Sequence, residues 1–195
     1  MGVTIRLKCT MAALRLPNLN DELMILKWRN SEAVAPYMLR DTFISQEEHH
    51  RWFEKILTDT DSGLFRIMEH EGLPCGLVSL SRIDIQELSC EWGGYLSPDT
   101  PRGVGLGRTL MYLSIMIAFN HLALKRIVVE VIVGNDAAIS LYGSMGFIPD
   151  KTKVKRFERQ NGPAEVIVMS LERDDWNSLK DRVRSLLMAN KLISE

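Results

Sequence analysis

The 195-residue chain has the size of one domain and is short for two. Its 46% apolar and 25% charged residues are ordinary globular values and exclude a disordered chain. Lys and Arg total 24 and Asp and Glu 25, a net charge of -1, which leaves no broad basic field for nonspecific nucleic-acid binding.

The apolar stretches break well short of the roughly 18 residues of a membrane span. Arg6 and Lys8 lead into a mixed segment rather than an apolar one. No signal peptide and no membrane anchor are therefore expected, and the cytoplasm is the expected compartment. Cys9, Cys75 and Cys90 are odd in number and form no C-x-x-C pair. Three small buried hydrophobes are expected rather than a disulfide or a zinc site. His49 and His50 are adjacent, so on a helix they diverge by about 100° and cannot clamp one ion. No metal is expected.

The first elements alternate between strand and helix patterns. Val3, Ile5, Leu7 and Cys9 suit a strand. Leu23, Met24, Leu26 and Trp28 suggest a short helix over Asn20 to Arg29, with Asn20 or Asp21 as cap. Ser45 before Gln46-Glu47-Glu48 looks like a capping box and opens a helix through Trp52, Phe53, Ile56 and Leu57. Asp59 to Gly63 reads as a turn.

Three strand-like runs follow: Leu64 to Met68, Gly76 to Ile85 and Leu88 to Leu96. The short hinges Glu71-Gly72 and Asp84 to Glu87 predict an antiparallel meander. A glycine-rich turn, Gly103 to Gly107, then leads into a long apolar helix through Leu110 and Leu122. Lys125-Arg126 are placed at its C-terminal end, where cations favour the macrodipole.

Ile127 to Val133 has the near-continuous apolar texture of a central strand. Asn135 opens a helix over Ala137 to Met145 that Gly146 stops. Strands over Lys153 to Phe157 and Glu165 to Leu171 are joined by Asn161-Gly162, a turn signal. From Asp174, Trp176, Leu179, Val183, Leu186 and Leu187 mark an amphipathic helix. The expected organisation is one domain over residues 1–173, with a C-terminal helix over 174–195 packed upon it.

The segment Arg102-Gly103-Val104-Gly105-Leu106-Gly107 between strand and helix carries the most chemical information. Glycines permit positive φ and close backbone approach to a ligand. The helix start beyond them exposes free N–H groups and the positive end of the dipole. Together they suit a pyrophosphate, and a tight turn without a ligand is the plain alternative. No Gly-Lys-[Ser/Thr] occurs, which rejects a P-loop. The third glycine comes one residue too early for a dinucleotide fingerprint, and the preceding strands are hairpin-linked, which disfavours a Rossmann unit.

The form [Q/R]-x-x-G-x-[G/A] of Arg102 to Gly107 resembles the acetyl-CoA loop of the GNAT superfamily of N-acetyltransferases. Asn135-Asp136-Ala137-Ala138-Ile139-Ser140-Leu141-Tyr142-Gly143-Ser144-Met145-Gly146-Phe147 resembles that superfamily's second signature, in the usual order and at the usual separation. The resemblance covers roughly Ile5 to Leu171. It implies an α/β (α+β) GNAT fold, with a mixed, mostly antiparallel central sheet of about seven strands flanked by helices. Ile25 to Asn30, Ile44 to His49, Cys90 to Leu96 and Glu165 to Met169 are similar to the sugar-nucleotide N-acetyltransferases of the pseudaminic acid pathway, which acetylate the 4-amino group of a UDP-linked amino-dideoxy sugar.

By this resemblance, acetyl-CoA is the cofactor. Gly94, Tyr95 and Leu96 are expected along its pantetheine arm, the amides of Val104, Gly105, Leu106 and Gly107 with Gly103 at its pyrophosphate, and Arg102 and Arg108 as added charge. Asn135 is expected to bond the arm, cap the helix, or both. Glu130 is the one acid in its apolar strand, on the face of Val128 and Ile132. Unless paired it should have a raised pKa, which suits a general base; a structural ion pair is the alternative. Glu91 is the reserve base.

Tyr142 is the expected acid at the leaving sulfur, with a core tyrosine as its alternative. Trp28, Tyr37, Met38 and His49 are candidates to line the acceptor pocket, and Arg29, Arg40, Arg51 and Arg82 to meet a diphosphate. For each, core packing or surface charge is an equal alternative. By the resemblance, the expected activity is direct acetyl transfer from acetyl-CoA to a primary amine, the 4-amino group of a UDP-linked amino-dideoxy sugar. A protein N-terminal or small-amine acetyltransferase and a noncatalytic acyl-CoA-binding module are the alternatives. A monomer or a homodimer is expected.

Overall fold

The computed structural model describes residues 12–58 and 63–193. The strand expected over Val3 to Cys9, and most of the turn expected at Asp59 to Gly63, lie outside the described residues. Among the described residues, seven strands form one sheet: β1 (Ala12–Arg15), β2 (Leu64–His70), β3 (Leu73–Asp84), β4 (Ser89–Leu96), β5 (Arg126–Ile132), β6 (Ile148–Phe157) and β7 (Ala164–Glu172), in the order β1-β2-β3-β4-β5-β7-β6. Every neighbouring pair is antiparallel except β4 and β5. A parallel pair needs a crossover, and the helix α3 (Leu106–Met116) provides it.

Local signals explain the turns of the meander. Glu71 and Gly72 both take positive φ, as a two-residue hairpin of right-handed strands requires. Asp84 Oδ1 accepts from the amides of Gln86 and Glu87 at 2.8 and 2.9 Å, folding the chain back into β4. The alternation of β3 then divides its side chains between two cores. Leu77 joins Ile25, Phe53 and Ile67 beneath α1 (Glu22–Arg29) and α2 (Gln46–Thr58). Val78 and Leu80 join the larger core of α3, β5, β7 and α5 (Arg173–Ala189). From α5, Trp176, Val183 and Leu187 enter that core. A fully buried side chain of this size contributes about 1.5–3 kcal/mol relative to leaving it in water.

Several sequence expectations are corrected. Asp21 holds the N-cap position of the first helix, as one of the two expected caps, but its side chain makes no cap bond to that helix. Asn18 caps a 3-10 turn over Leu19–Asp21, accepting from the Asn20 amide at 3.0 Å while Asp21 accepts from the Asn18 amide at 2.8 Å. Asp21 also receives Arg15 through both guanidinium nitrogens, at 2.7 and 2.8 Å. Burial pushes the Asp21 carboxyl up, but these donors outweigh it and hold the group below its ordinary value.

The long helix also ends earlier than expected. α3 passes into a π-helical turn, Ile117–His121, and Arg126 already belongs to β5. Lys125 and Arg126 therefore lie beyond the helix, and Arg173 takes the place assigned to them, donating to the Phe119 carbonyl at 2.6 Å. Ser45 does cap α2, its Oγ accepting from the Glu48 amide at 3.2 Å. Cys75 and Cys90 are free and buried. Among the described residues, no helix is long and apolar enough to cross a membrane.

Candidate active site

The site begins where the sheet splits. β4 and β5 pair only from Ser89 to Glu91 against Arg126 to Val128. Beyond that, β5 stays on β7 as far as Ile132, and β4 stays on β3 as far as Leu96. The edge of β4 from Trp92 to Leu96 therefore carries no β5 partner, and its free amides face a wedge between the strands. α3 starts at the mouth of that wedge.

Gly105 is the residue before α3 and takes φ 92, a conformation that L side chains rarely adopt. A Cβ there would also stand 2.7 Å from a methyl of Leu192. No side chain caps this helix start. The N–H groups of Leu106, Gly107 and Arg108 thus have no intrahelical acceptor and point out of the first turn.

A 920 Å³ cavity follows the wedge. Gly94, Tyr95, Leu96, Arg102, Gly103, Gly105, Leu106, Gly107, Arg108, Glu130, Asn135 and Tyr142 all line it, so the structure gathers nearly the whole expected cofactor set. Val104 is the exception: its side chain is half exposed, and the residue does not line the cavity. Asn135 caps α4 (Asp136–Ser144), its Oδ1 accepting from the Ala138 amide at 3.2 Å. Arg102 donates to the Thr100 carbonyl at 2.9 Å and Arg108 reaches Ser144 Oγ at 3.3 Å.

Tyr142 is held by packing. Its ring meets Trp92 edge-on, with centroids 5.8 Å apart, and Trp92 is itself fixed by a 2.6 Å bond from Nε1 to Ser114 Oγ. Burial pushes the Tyr142 phenol up to about 12, so it stays protonated near neutrality. Its hydroxyl makes no hydrogen bond to another described residue. Of the three acids that line the cavity, Glu32, Glu91 and Glu130, the two candidate bases are both paired. Glu130 meets Lys155 of β6, so it is not an isolated acid among valines; it is ion-paired, as the alternative reading had it, with a lysine rather than an arginine as its cation. Glu91 accepts from Arg82 at 2.6 Å.

A second cavity of 330 Å³ lies under α1 and α2. It shares Met38, Gly93, Gly94 and Tyr95 with the first, so the two spaces meet across β4 where two glycines thin the strand. Its walls are aromatic and cationic: Trp52, Phe65 and Tyr95 with Arg29 and Arg40. Arg40 is engaged with Glu48. Arg29 gives Nη2 to the Arg40 carbonyl, while its Nη1 is buried with no partner. Burial pulls the Arg29 guanidinium below its ordinary value. Burial likewise raises the Tyr95 phenol well above the usual tyrosine range.

The other acceptor candidates divide. Tyr37 and Met38 line the larger cavity, and Met38 both. His49 lines the smaller one, but it is held as a core histidine, its Nε2 donating to the Glu22 carbonyl at 2.9 Å, and burial lowers its pKa. Trp28 is buried and lines neither cavity, so it is corrected to a core residue. Arg51 pairs with Glu47 on the exposed face of α2, and Arg82 is an exposed partner of Glu91; neither lines a cavity. The sequence pattern places Trp52 only as an apolar position along a helix, and it singles out neither Phe65 nor Lys155.

Residues 12–148 match the profile of the acetyltransferase (GNAT) domain. The chain is 30% identical over 119 residues to acetyltransferase PseH of Campylobacter jejuni, covering 61% of this chain and 71% of that protein. It is 26% identical over 144 residues to spermidine N(1)-acetyltransferase of Vibrio cholerae, covering 74% and 83%. Among solved structures, the Vibrio cholerae spermidine N-acetyltransferase in complex with CoA and spermine superposes with a TM-score of 0.78 at 23% identity, over 86% of this chain and 99% of that one. The matched residues contain the split sheet, the glycine turn and the tyrosine helix, and the chain belongs to the GNAT family of acetyl-CoA-dependent N-acetyltransferases.

Proposed function

We propose that the enzyme acetylates the amino group of a nucleotide-linked amino sugar, with a UDP-linked 4-amino-dideoxy sugar as the first acceptor to test. The unpartnered Nη1 of Arg29 carries this reading. It is a buried cationic donor with no acceptor, in a small cavity walled by Trp52, Phe65 and Tyr95. A diphosphate satisfies such a donor, and an aromatic wall suits a base or sugar face. The likeness to PseH supports the same class.

A polyamine is the second reading, supported by the likeness to the spermidine enzyme. The small cavity suits a polycation poorly. Its one carboxylate, Glu48, is already engaged by Arg40, while Arg29 adds an unmatched positive charge.

The cofactor set fits coenzyme A. The left-handed Gly105 and the uncapped start of α3 offer backbone donors for the pyrophosphate, and the unpaired edge of β4 offers them for the pantetheine arm. Acetyl-CoA supplies an activated acetyl thioester. Gly94, Tyr95 and Leu96 orient it, and a donor at its carbonyl is worth several kcal/mol, about 3–4, when preorganised. Glu130 takes the proton from the acceptor ammonium, directly or through water, with Lys155 fixing the carboxylate. Tyr142 Oη gives a proton to the departing sulfur.

A panel of UDP-amino-sugars, spermidine and peptide amines, read by free thiol released from acetyl-CoA, tests the reading. Turnover confined to the sugar nucleotides is expected. Turnover of spermidine or a peptide, with none of the sugars, overturns it.

A further inference from the structure

The segment between α1 and α2 forms a wall of both cavities, and it is latched at two ends. At its base, the Asn30 side chain pairs with the Ile44 backbone like a strand partner, Nδ2 donating to the carbonyl at 2.8 Å and Oδ1 accepting from the amide at 3.0 Å. This closes residues 31–43 into a compact loop of the kind that is often functional. Between the ends, Tyr37, Met38 and Leu39 face the larger cavity and Met38 also the smaller.

The far latch comes from the turn between β6 and β7, some 120 residues later. Asp41 is buried, and its two carboxylate oxygens accept from the amides of Gln160 at 2.9 Å and Asn161 at 3.1 Å. Arg159 Nη1 returns the contact, donating to the carbonyls of Pro36 at 2.9 Å and Met38 at 3.3 Å. These four bonds join main chain to side chain in both directions. They fix the backbone that carries Tyr37, Met38 and Leu39, with no contact to the glycine turn.

We propose that Asp41 and Arg159 are positioning residues for the acceptor: by clamping the loop to the β6–β7 turn they set the shape of the acceptor wall, and so acceptor affinity and choice, without holding the cofactor. The proposal deepens the acceptor reading above and rests on it for the identity of the amine alone. Asp41 is replaceable only by another group with two acceptors. Asparagine offers one oxygen and keeps one of the two amide bonds. Arg159 is replaceable in part by lysine, which can still donate to the Pro36 or Met38 carbonyl.

The test uses the full chain with Arg159→Ala, Arg159→Lys, Asp41→Ala and Asp41→Asn. The probes are a UDP-linked 4-amino-dideoxy sugar and, in parallel, spermidine. Arg159→Ala and Asp41→Ala should raise the KM of whichever amine is used about tenfold, with the acetyl-CoA KM and the coenzyme A Kd within about twofold of the parent. Arg159→Lys and Asp41→Asn should recover part of the loss. Free of any substrate, amide exchange at Tyr37 and Met38, which donate to Val34 and Ala35, should quicken about tenfold in the alanine variants.

Acceptor KM unchanged in a folded Arg159→Ala overturns the proposal. So does an equal rise in the acetyl-CoA KM, which marks general loosening, or unchanged exchange at Tyr37 and Met38. Should Asp41→Ala fail to fold, Asp41→Asn and the Arg159 pair decide the matter. Should the parent turn over spermidine and not the sugar, the function reading falls while the clamp is still judged on spermidine. Should it turn over neither, exchange decides the clamp.

Discussion

The two sides of β4 are built by different means. On the side proposed for the cofactor, the groups offered to a ligand are main-chain amides displayed by a glycine turn, a helix start and an unpaired strand edge. On the side proposed for the acceptor, they are side chains from α1, α2 and a loop, set by contacts up to 123 residues apart. Backbone display fixes one geometry for an invariant ligand. Side-chain display can be altered residue by residue while the sheet stays as it is, so acceptor choice can diverge within one fold.

That contrast predicts separable effects. Replacing Tyr142 with Phe should lower kcat about a hundredfold or more while the coenzyme A Kd stays within about twofold, measured by thiol release and calorimetry. An unchanged rate removes Tyr142 from the chemistry. Glu130→Gln should cost about ten- to a hundredfold in kcat/KM, because the amide cannot accept the proton of the acceptor ammonium. An unchanged kcat/KM makes Glu130 structural.

Gly105→Val forces a branched side chain into the left-handed region and against Leu192. It should weaken coenzyme A by about tenfold and leave the acceptor KM little changed. Arg29→Leu should do the reverse, raising the KM of a sugar nucleotide about tenfold and sparing the cofactor. If Arg29→Leu leaves the KM of the sugar nucleotide unchanged, the diphosphate contact falls.

The smallest effect near neutrality concerns pH and stability. Burial pushes Cys75 up to about 11, and Cys90 and Tyr142 up to about 12, from ordinary values of 9.0 and 10.0. These groups hold their protons more tightly when folded. Their contribution is therefore complete below pH 9.0 and is lost as pH rises to about 12. Urea midpoints should be level around neutrality and fall across that alkaline range; a rise there contradicts the burial.

The cofactor side was legible in the sequence for a physical reason. Positive φ at Gly103 and Gly105 and the cap at Asn135 demand particular residue types, and so leave marks on the chain. The acceptor side leaves few such marks. Arg29 and Arg51 look alike in sequence, yet one is half-buried with Nη1 enclosed and unpartnered and the other pairs with Glu47 in solvent. Trp28 and Trp52 look alike too, but only Trp52 lines a cavity. Lys155 meets Glu130 because β6 lies beyond β7, a strand order that no local pattern states. The helix end was misplaced because the π turn hides inside an apolar run, and the cation that serves it comes from Arg173, 54 residues away.

The contact between Leu192 and the bend at Gly105 has a thermodynamic corollary. Two events that touch one another share a coupling energy, and the coupling is reciprocal. Any preference of the nucleotide for the tightened bend is also a preference for the docked end of α5. Saturating the protein with coenzyme A should then shield amides near residue 190 from exchange, although none of them lines the cavity that receives it.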